Sequence, residues 1–167
     1  LSIIDLNESA NQPMVSNNDN YILSFNGEIF NYKEVKEKLK GYEFKTNSDS
    51  EVIIAAYQKW GEECLKEFNG MFSFVIYDKA NHLLFGARDR FGIKPFYYYQ
   101  TNNKFIFSSE IKGILSTDDI EAKLNEVEFY DFVVFNRTDH NEDTCFENIK
   151  NLRPGHKFNL NVETKVF

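Results

Sequence analysis

Tyr21-Ile22-Leu23-Ser24-Phe25-Asn26-Gly27-Glu28-Ile29-Phe30-Asn31-Tyr32 is the stretch on which the fold turns, read with Ser48-Asp49-Ser50-Glu51 a little further along. From Tyr21 to Phe25 large apolar residues alternate at odd positions and β-formers dominate, which predicts a strand. The next two residues, Asn26-Gly27, fit the left-handed dihedrals of a two-residue turn, so the strand is expected to stop there. A returning strand does not follow. Asn31-Tyr32-Lys33-Glu34 has the spacing of a helix cap, Val35 and Leu39 share a helical face, and Gly41 closes the segment. The predicted unit is strand, sharp polar turn, helix.

Such a unit has a chemical use. Asn26 offers a side-chain amide, Gly27 a backbone N–H with no side chain in the way, and Glu28 a fixed negative charge, all within three residues. Two adjacent neutral donors suit the developing oxyanion of an acyl transfer, where one donor is worth about 3 to 4 kcal/mol. A carboxylate beside them suits an ammonium group. In Ser48-Asp49-Ser50-Glu51 the Ser-x-x-Glu pattern opens a helix whose apolar face carries Val52, Ile53, Ala56, Tyr57 and Trp60. The plain reading of Asp49 is a first-turn acid that steadies the helix N-terminus.

Outward from this core the chain reads as one domain over residues 1–167, large enough for a single hydrophobic core. Seventeen Phe and nine Tyr, with 42% hydrophobic residues, exclude a disordered chain. A formal charge of −7 argues against nucleic acid or an anionic membrane as partner, because both are met with basic patches. No apolar run approaches the roughly 18 residues of a membrane-spanning helix and no signal peptide opens the sequence, so a soluble cytoplasmic protein is expected. Cys64 and Cys145 suggest neither a disulfide framework nor a zinc site, and both read as structural. His82, His140 and His156 have no metal-ligand spacing, so no metal is expected.

Leu1 to Leu6 reads as a short apolar strand in which Ile3 and Ile4 are core. Gly61 and Gly70 bracket a short helix carrying Leu65 and Phe68. Met71–Tyr77 and His82–Ala87 form a hairpin, and Phe96–Gln100 with Phe105–Ser108 a second. Between the hairpins lies Arg88-Asp89-Arg90-Phe91-Gly92-Ile93-Lys94-Pro95, read as an architectural linker with Arg and Asp paired and Gly92 in a turn; its glycine spacing fits no phosphate loop. Ser109 to Leu115 and Glu126 to Phe135 read as helices, the latter with Val127, Tyr130 and Val134 on one side. The polar composition of 136–144 predicts a mobile loop. By pattern alone the fold class is α+β with antiparallel hairpins.

Five runs in this order resemble the glutaminase domain of glutamine-hydrolysing asparagine synthetases: Asn26 to Asn31, Ser48 to Ile53, Gly70 to Asp78, Arg88 to Tyr98, and Phe107 to Lys112. Leu152-Arg153-Pro154-Gly155-His156 is similar to the run that ends such domains, with Arg153 in place of a proline. The resemblance implies a four-layer α/β/β/α sandwich of the N-terminal-nucleophile hydrolase type, missing its first strands. It implies hydrolysis of L-glutamine to glutamate, with ammonia passed to a C-terminal synthetase domain of the same parent chain for ATP-dependent asparagine synthesis from aspartate. Asn26 and Gly27 would form the oxyanion hole, Glu28 and Asp49 would hold the substrate ammonium, and backbone groups of Ile3 and Ile4 would line the pocket.

The nucleophile of such enzymes is an N-terminal cysteine whose own α-amine acts as base, and position 1 here is Leu. The resemblance therefore implies a chain that starts inside the domain and is inactive by itself. A nucleophile-less scaffold of the β-lactam-synthetase-like kind and a non-catalytic interaction module are the alternatives. No cofactor is expected in this domain; ATP and Mg belong to the synthetase domain, for which no pyrophosphate loop is found. A homodimer is compatible with the resemblance, and the sequence itself is silent on oligomeric state.

Overall fold

A computed structural model describes residues 11–164. The predicted first strand, with Ile3 and Ile4, lies outside the described residues. Five strands, β1 (Met14–Val15), β2 (Tyr21–Ile29), β3 (Gly70–Asp78), β4 (Leu83–Arg88) and β8 (Lys157–Asn161), form one antiparallel sheet in the order β1-β2-β3-β4-β8. A second sheet has the order β6-β5-β7, from β5 (Tyr97–Gln100), β6 (Phe105–Ser108) and β7 (Ile149–Asn151). The helices are α1 (Tyr32–Lys38), α2 (Asp49–Trp60), α3 (Ile111–Leu115) and α4 (Glu126–Phe135). Both hairpins form as the alternation predicts.

Side-chain alternation assembles these elements into layers. On one face of the larger sheet, Leu23, Phe25, Phe74, Ile76 and Phe85 pack against Val35 of α1 and Val52, Ile53 and Ala56 of α2. The opposite face presents Val75, Leu84, Phe158 and Leu160 to Phe96, Tyr98, Phe105 and Phe107 of the smaller sheet. The far side of that sheet, with Tyr97, Tyr99, Ile106 and Ile149, is covered by Ile111, Ile114 and Leu115 of α3. Three apolar seams thus separate four layers, α/β/β/α. Phe74 and Phe85 are almost wholly buried, and each such ring stabilises the fold by about 2 to 3 kcal/mol.

The strand does not stop at Asn26-Gly27. Strand β2 runs on to Ile29, with Gly27 opposite Phe72 and Ile29 opposite Gly70. Gly27 has a positive φ, 148°, that side chains rarely adopt, and it lies inside the ladder: a Cβ there would sit 2.1 Å from the Met71 carbonyl oxygen. Close approach of β2 to β3, and not a reversal of the chain, is what requires glycine. Asn31 precedes α1 but makes no side-chain cap bond to it. Its amide donates to the Glu67 carbonyl at 2.9 Å and its oxygen accepts from Asn69 N–H at 2.9 Å, tying the entry of β3 to the exit of β2. The segment after α2 is a 3-10 helix over Gly61–Lys66.

The Arg88 to Pro95 run is architectural, as expected, but not by ion pairing. Among the described residues Arg88 and Asp89 make no salt bridge with each other. Asp89, 1% exposed, accepts four backbone N–H groups: Phe91 and Ile93 on Oδ1, both at 3.0 Å, and Lys94 at 3.0 Å and Phe72 at 3.2 Å on Oδ2. Arg88 reaches the other sheet, donating to Asn151 Oδ1 at 2.7 Å and the Leu152 carbonyl at 2.6 Å, and also to the carbonyls of Lys94 and Gly92.

Helix α4 departs from its expected one-sided burial: it has no buried residue, and Val127 and Val133 are 70% and 62% exposed. Apolar side chains occupy every side of it, so no orientation could bury them all on one neighbour. Asn125 caps its start by accepting from Glu128 N–H at 3.4 Å. The polar segment 136–144 is anchored to it and to β7: Asn141 donates to Glu128 Oε1 at 2.7 Å, and Asn151 donates to Asp139 Oδ1 at 2.9 Å.

Burial raises the carboxyl of Asp89, but the N–H groups of Lys94, Ile93, Phe91 and Phe72 outweigh it and hold the group below the usual carboxylate range. A depressed folded value means stability that is full above the unfolded value of about 3.9 and is lost as pH falls through the folded one. Asp89→Asn, which turns an acceptor into a donor facing N–H groups, is expected to cost about 3 kcal/mol at neutral pH. Thermal and urea unfolding against pH should show the variant losing that acid-dependent part; a variant as stable as the parent would contradict the account.

Candidate active site

Three N–H groups from alternate residues of β2, Phe25, Gly27 and Ile29, face its free edge, and their direction follows from the ladder. The backbone N–H of Asp89 donates to the Phe72 carbonyl at 2.7 Å, so Phe72 is turned toward β4 and its pairing with Gly27 is of the non-hydrogen-bonded kind. The Asn26 carbonyl therefore points to Ser73, and across the trans peptide the Gly27 N–H points the opposite way, to the strand edge. Along that edge Phe25 N–H donates to Gln12 Oε1 at 2.6 Å and Ile29 N–H donates to Asp49 Oδ2 at 3.0 Å. The Gly27 N–H lies between them, about 7 Å along the strand from each.

Side chains of even-numbered residues in β2 face the second sheet. Asn26 projects there beside Ser73, its cross-strand partner, and its amide donates to Ser109 Oγ at 3.1 Å. It opens on a cavity of about 410 Å³ between the sheets, walled by Ser24, Ser73, Ser108 and Ser109 over a floor of Phe96 and Phe107. Glu28 lies two residues on, on the same face, half-buried. That cavity does not include Glu28 or Asp49.

Asp49 is brought to the site by the start of α2. Ser48 caps the helix, accepting from Ser50 N–H at 3.2 Å, and Glu51 fixes the approach. The Glu51 carboxylate, 4% exposed, accepts Thr46 N–H and Thr46 Oγ1–H, both at 2.7 Å, and Lys45 N–H at 2.9 Å. It thus serves the preceding loop where a capping box would have turned it back to Ser48. Burial pushes the Asp49 carboxyl up, the Ile29, Ser50 and Asp49 N–H groups partly offset this, and the charge of Glu28 adds to the rise. Two carboxylates therefore sit within electrostatic reach of each other, and among the described residues no lysine or arginine pairs with either. An arrangement of two N–H donors and two unneutralised carboxylates at one strand end can hold an oxyanion and a cation at separate points.

Of the residues singled out in the sequence, Asn26, Gly27, Glu28 and Asp49 come to one end of β2, while Ile3 and Ile4 lie outside the described residues. Ser109, Ser73 and Gln12 carry no site signal in the sequence. Ser109 lies in the Phe107 to Lys112 run, and only the stacking of the sheets reveals that it meets Asn26. Cys64 is fully buried, and burial pushes its thiol up to about 12, which suits a core residue and not a nucleophile.

A family profile described as a glutamine amidotransferase domain matches residues 1–166. The chain is 40% identical over 169 residues to asparagine synthetase 1 (glutamine-hydrolysing) of Bacillus subtilis, covering 99% of this chain and 26% of that protein. It is 48% identical over 139 residues to a Methanocaldococcus jannaschii protein provisionally named as a glutamine-hydrolysing asparagine synthetase, covering 75% of this chain and 27% of that one. The chain thus spans about a quarter of the length of these curated relatives. Among solved structures, the glutamine phosphoribosylpyrophosphate amidotransferase of B. subtilis superposes with a TM-score of 0.64 at 20% identity, over 94% of this chain and 31% of that one. At that identity the likeness concerns the fold, which is the N-terminal-nucleophile hydrolase sandwich.

Asp49 gives a test of this geometry. A folded value above the unfolded one means that the ionised carboxylate opposes folding, so its contribution falls as pH rises through about 4 toward the folded value. Asp49→Asn keeps an oxygen for Ile29 N–H and removes the buried charge. Its melting temperature at neutral pH should equal or exceed that of the parent, with a flatter pH dependence; a large loss of stability at pH 7 would show that the carboxylate is a structural anion instead.

Proposed function

Because the chain belongs to the glutamine amidotransferase family, we propose that it binds L-glutamine at the end of β2 and supports hydrolysis of its side-chain amide. The observation that carries this reading is the pairing of the Asn26–Gly27 donors with two uncompensated carboxylates, Glu28 and Asp49. Glutamine presents the complement: a cationic α-ammonium for the carboxylates, and an amide carbonyl that becomes an oxyanion for the donors. An ammonium between Glu28 and Asp49 relieves their mutual repulsion on binding, so the cost of keeping them together in the empty site returns as affinity.

The nucleophile in this proposal is a cysteine thiol N-terminal to Leu1 in a longer parent chain, its α-amine taking the proton. The sulfur attacks the amide carbon and the carbonyl electrons move to oxygen, where Asn26 Nδ2–H and Gly27 N–H receive them. The C–N bond then breaks with protonation of nitrogen, releasing ammonia and leaving a thioester. Water hydrolyses the thioester to glutamate and restores the thiol. The relatives are named glutamine-hydrolysing asparagine synthetases; in this proposal the ammonia passes to a synthetase domain of the parent chain, where ATP and magnesium activate aspartate, and the glutaminase domain itself uses no metal.

Asn26→Ala in the full-length protein is expected to lower glutamine-dependent turnover by about 10²- to 10³-fold, while synthesis driven by free ammonium salt stays at the parental rate. Parallel assays with the two nitrogen sources decide it, since a change that damages both equally would deny Asn26 a role in amide hydrolysis.

A further inference from the structure

We infer that Ser109 is a positioning residue for the Asn26 carboxamide, so that the second sheet, and not only the strand carrying Asn26, sets the direction of the donor. The inference rests on the reading of Asn26 as an oxyanion donor. The backbone of Asn26 is fixed by its pairing with Ser73, but beyond Cα the side chain has two rotatable bonds, the outer one broad in its preferences. What holds the carboxamide plane is whatever it touches. Among the described residues its hydrogen bond goes to Ser109 Oγ, 3.1 Å away and 83 residues further along the chain. A carboxamide carries two N–H donors; with one held by Ser109, the second is left for a ligand oxygen.

The hydroxyl is itself on a rigid mount. Ser109 lies between β6 and α3, and both neighbours are pinned. The Phe107 ring stacks on Phe96 with centroids 5.8 Å apart and planes 6° from parallel, in the seam between the sheets. On the other side α3 is seated by Ile114, wholly buried against Ile149 and Ile120. The helix lies so close to the end of β6 that a Cβ on Gly113 would come within 2.5 Å of Ser108 Oγ. Two separate apolar seams thus converge on the position of one oxygen. Removing that oxygen leaves both seams intact and frees only the amide.

The test is a double-mutant cycle in the full-length protein, with glutamine-dependent and ammonium-dependent synthesis measured for Ser109→Ala, Asn26→Ala and the pair. Ser109→Ala should lower kcat with glutamine by about tenfold, through loss of donor alignment, with KM for glutamine within about twofold of the parent. Its ammonium-dependent rate and melting temperature should match the parent. In the Asn26→Ala background, which has no carboxamide to orient, Ser109→Ala should cost nothing further. Full additivity of the two losses would overturn the inference, as would parental glutamine turnover in Ser109→Ala when Asn26→Ala is impaired. Parental turnover in Asn26→Ala would refute the oxyanion reading and this inference with it.

Discussion

The buried carboxylate of Asp89 is the constraint on which the remaining structure depends. A carboxylate in an apolar sandwich costs several kcal/mol to desolvate unless its oxygens are satisfied, and here four N–H groups do so. Those donors come from both the start of β3 and the loop that follows β4, so satisfying the charge closes the loop and directs the chain toward the second sheet. Arg88 completes the arrangement from the other side, spending its guanidinium on the loop carbonyls and on Asn151 and Leu152. The adjacent cation and anion neutralise each other only at a distance. Asp89 is held by backbone N–H groups of β3 and the loop, and Arg88 carries the link on to the second sheet through Asn151 and Leu152.

The functional end of β2 is a by-product of the same stacking. Gly27 is forced by its approach to Met71 and Phe72, and that approach keeps β2 straight through the point where its composition suggests a turn. A straight strand puts the Gly27 N–H on an edge and the Asn26 side chain on a face. A turn would have thrown both into solvent. The two donors therefore belong to different sides of one peptide unit, and a single peptide plane sets their relation.

Much of this was legible in the sequence. Alternation in Met71–Tyr77, His82–Ala87, Phe96–Gln100 and Phe105–Ser108 gave both hairpins, and the apolar spacing after Ser48 gave α2. Asn26-Gly27 was misread as a turn because a dipeptide that favours left-handed dihedrals says nothing about a neighbouring strand pressing on its Cα. Asn31 resembled a cap by spacing, yet its partners are Glu67 and Asn69, more than thirty residues away. Arg88 and Asp89 looked like partners because they adjoin and carry opposite charge; backbone groups proved the better acceptors and donors once both were buried. The contact between Asn26 and Ser109 had no signal at all, since it exists only when one sheet is laid on the other.

Helix α4 has a consequence for how the protein behaves as a solute. With a formal charge of −7, copies repel one another over distances that salt shortens to about 8 Å at 0.15 M ionic strength. The valines and aromatic rings of α4, exposed on every side, attract at contact, and sulfate strengthens that attraction by its exclusion from apolar surface. Rising ammonium sulfate thus removes the repulsion and sharpens the adhesion together. In the chain as described, the ten-residue helix supplies a patch whose adhesion grows under the same salt that screens the charge.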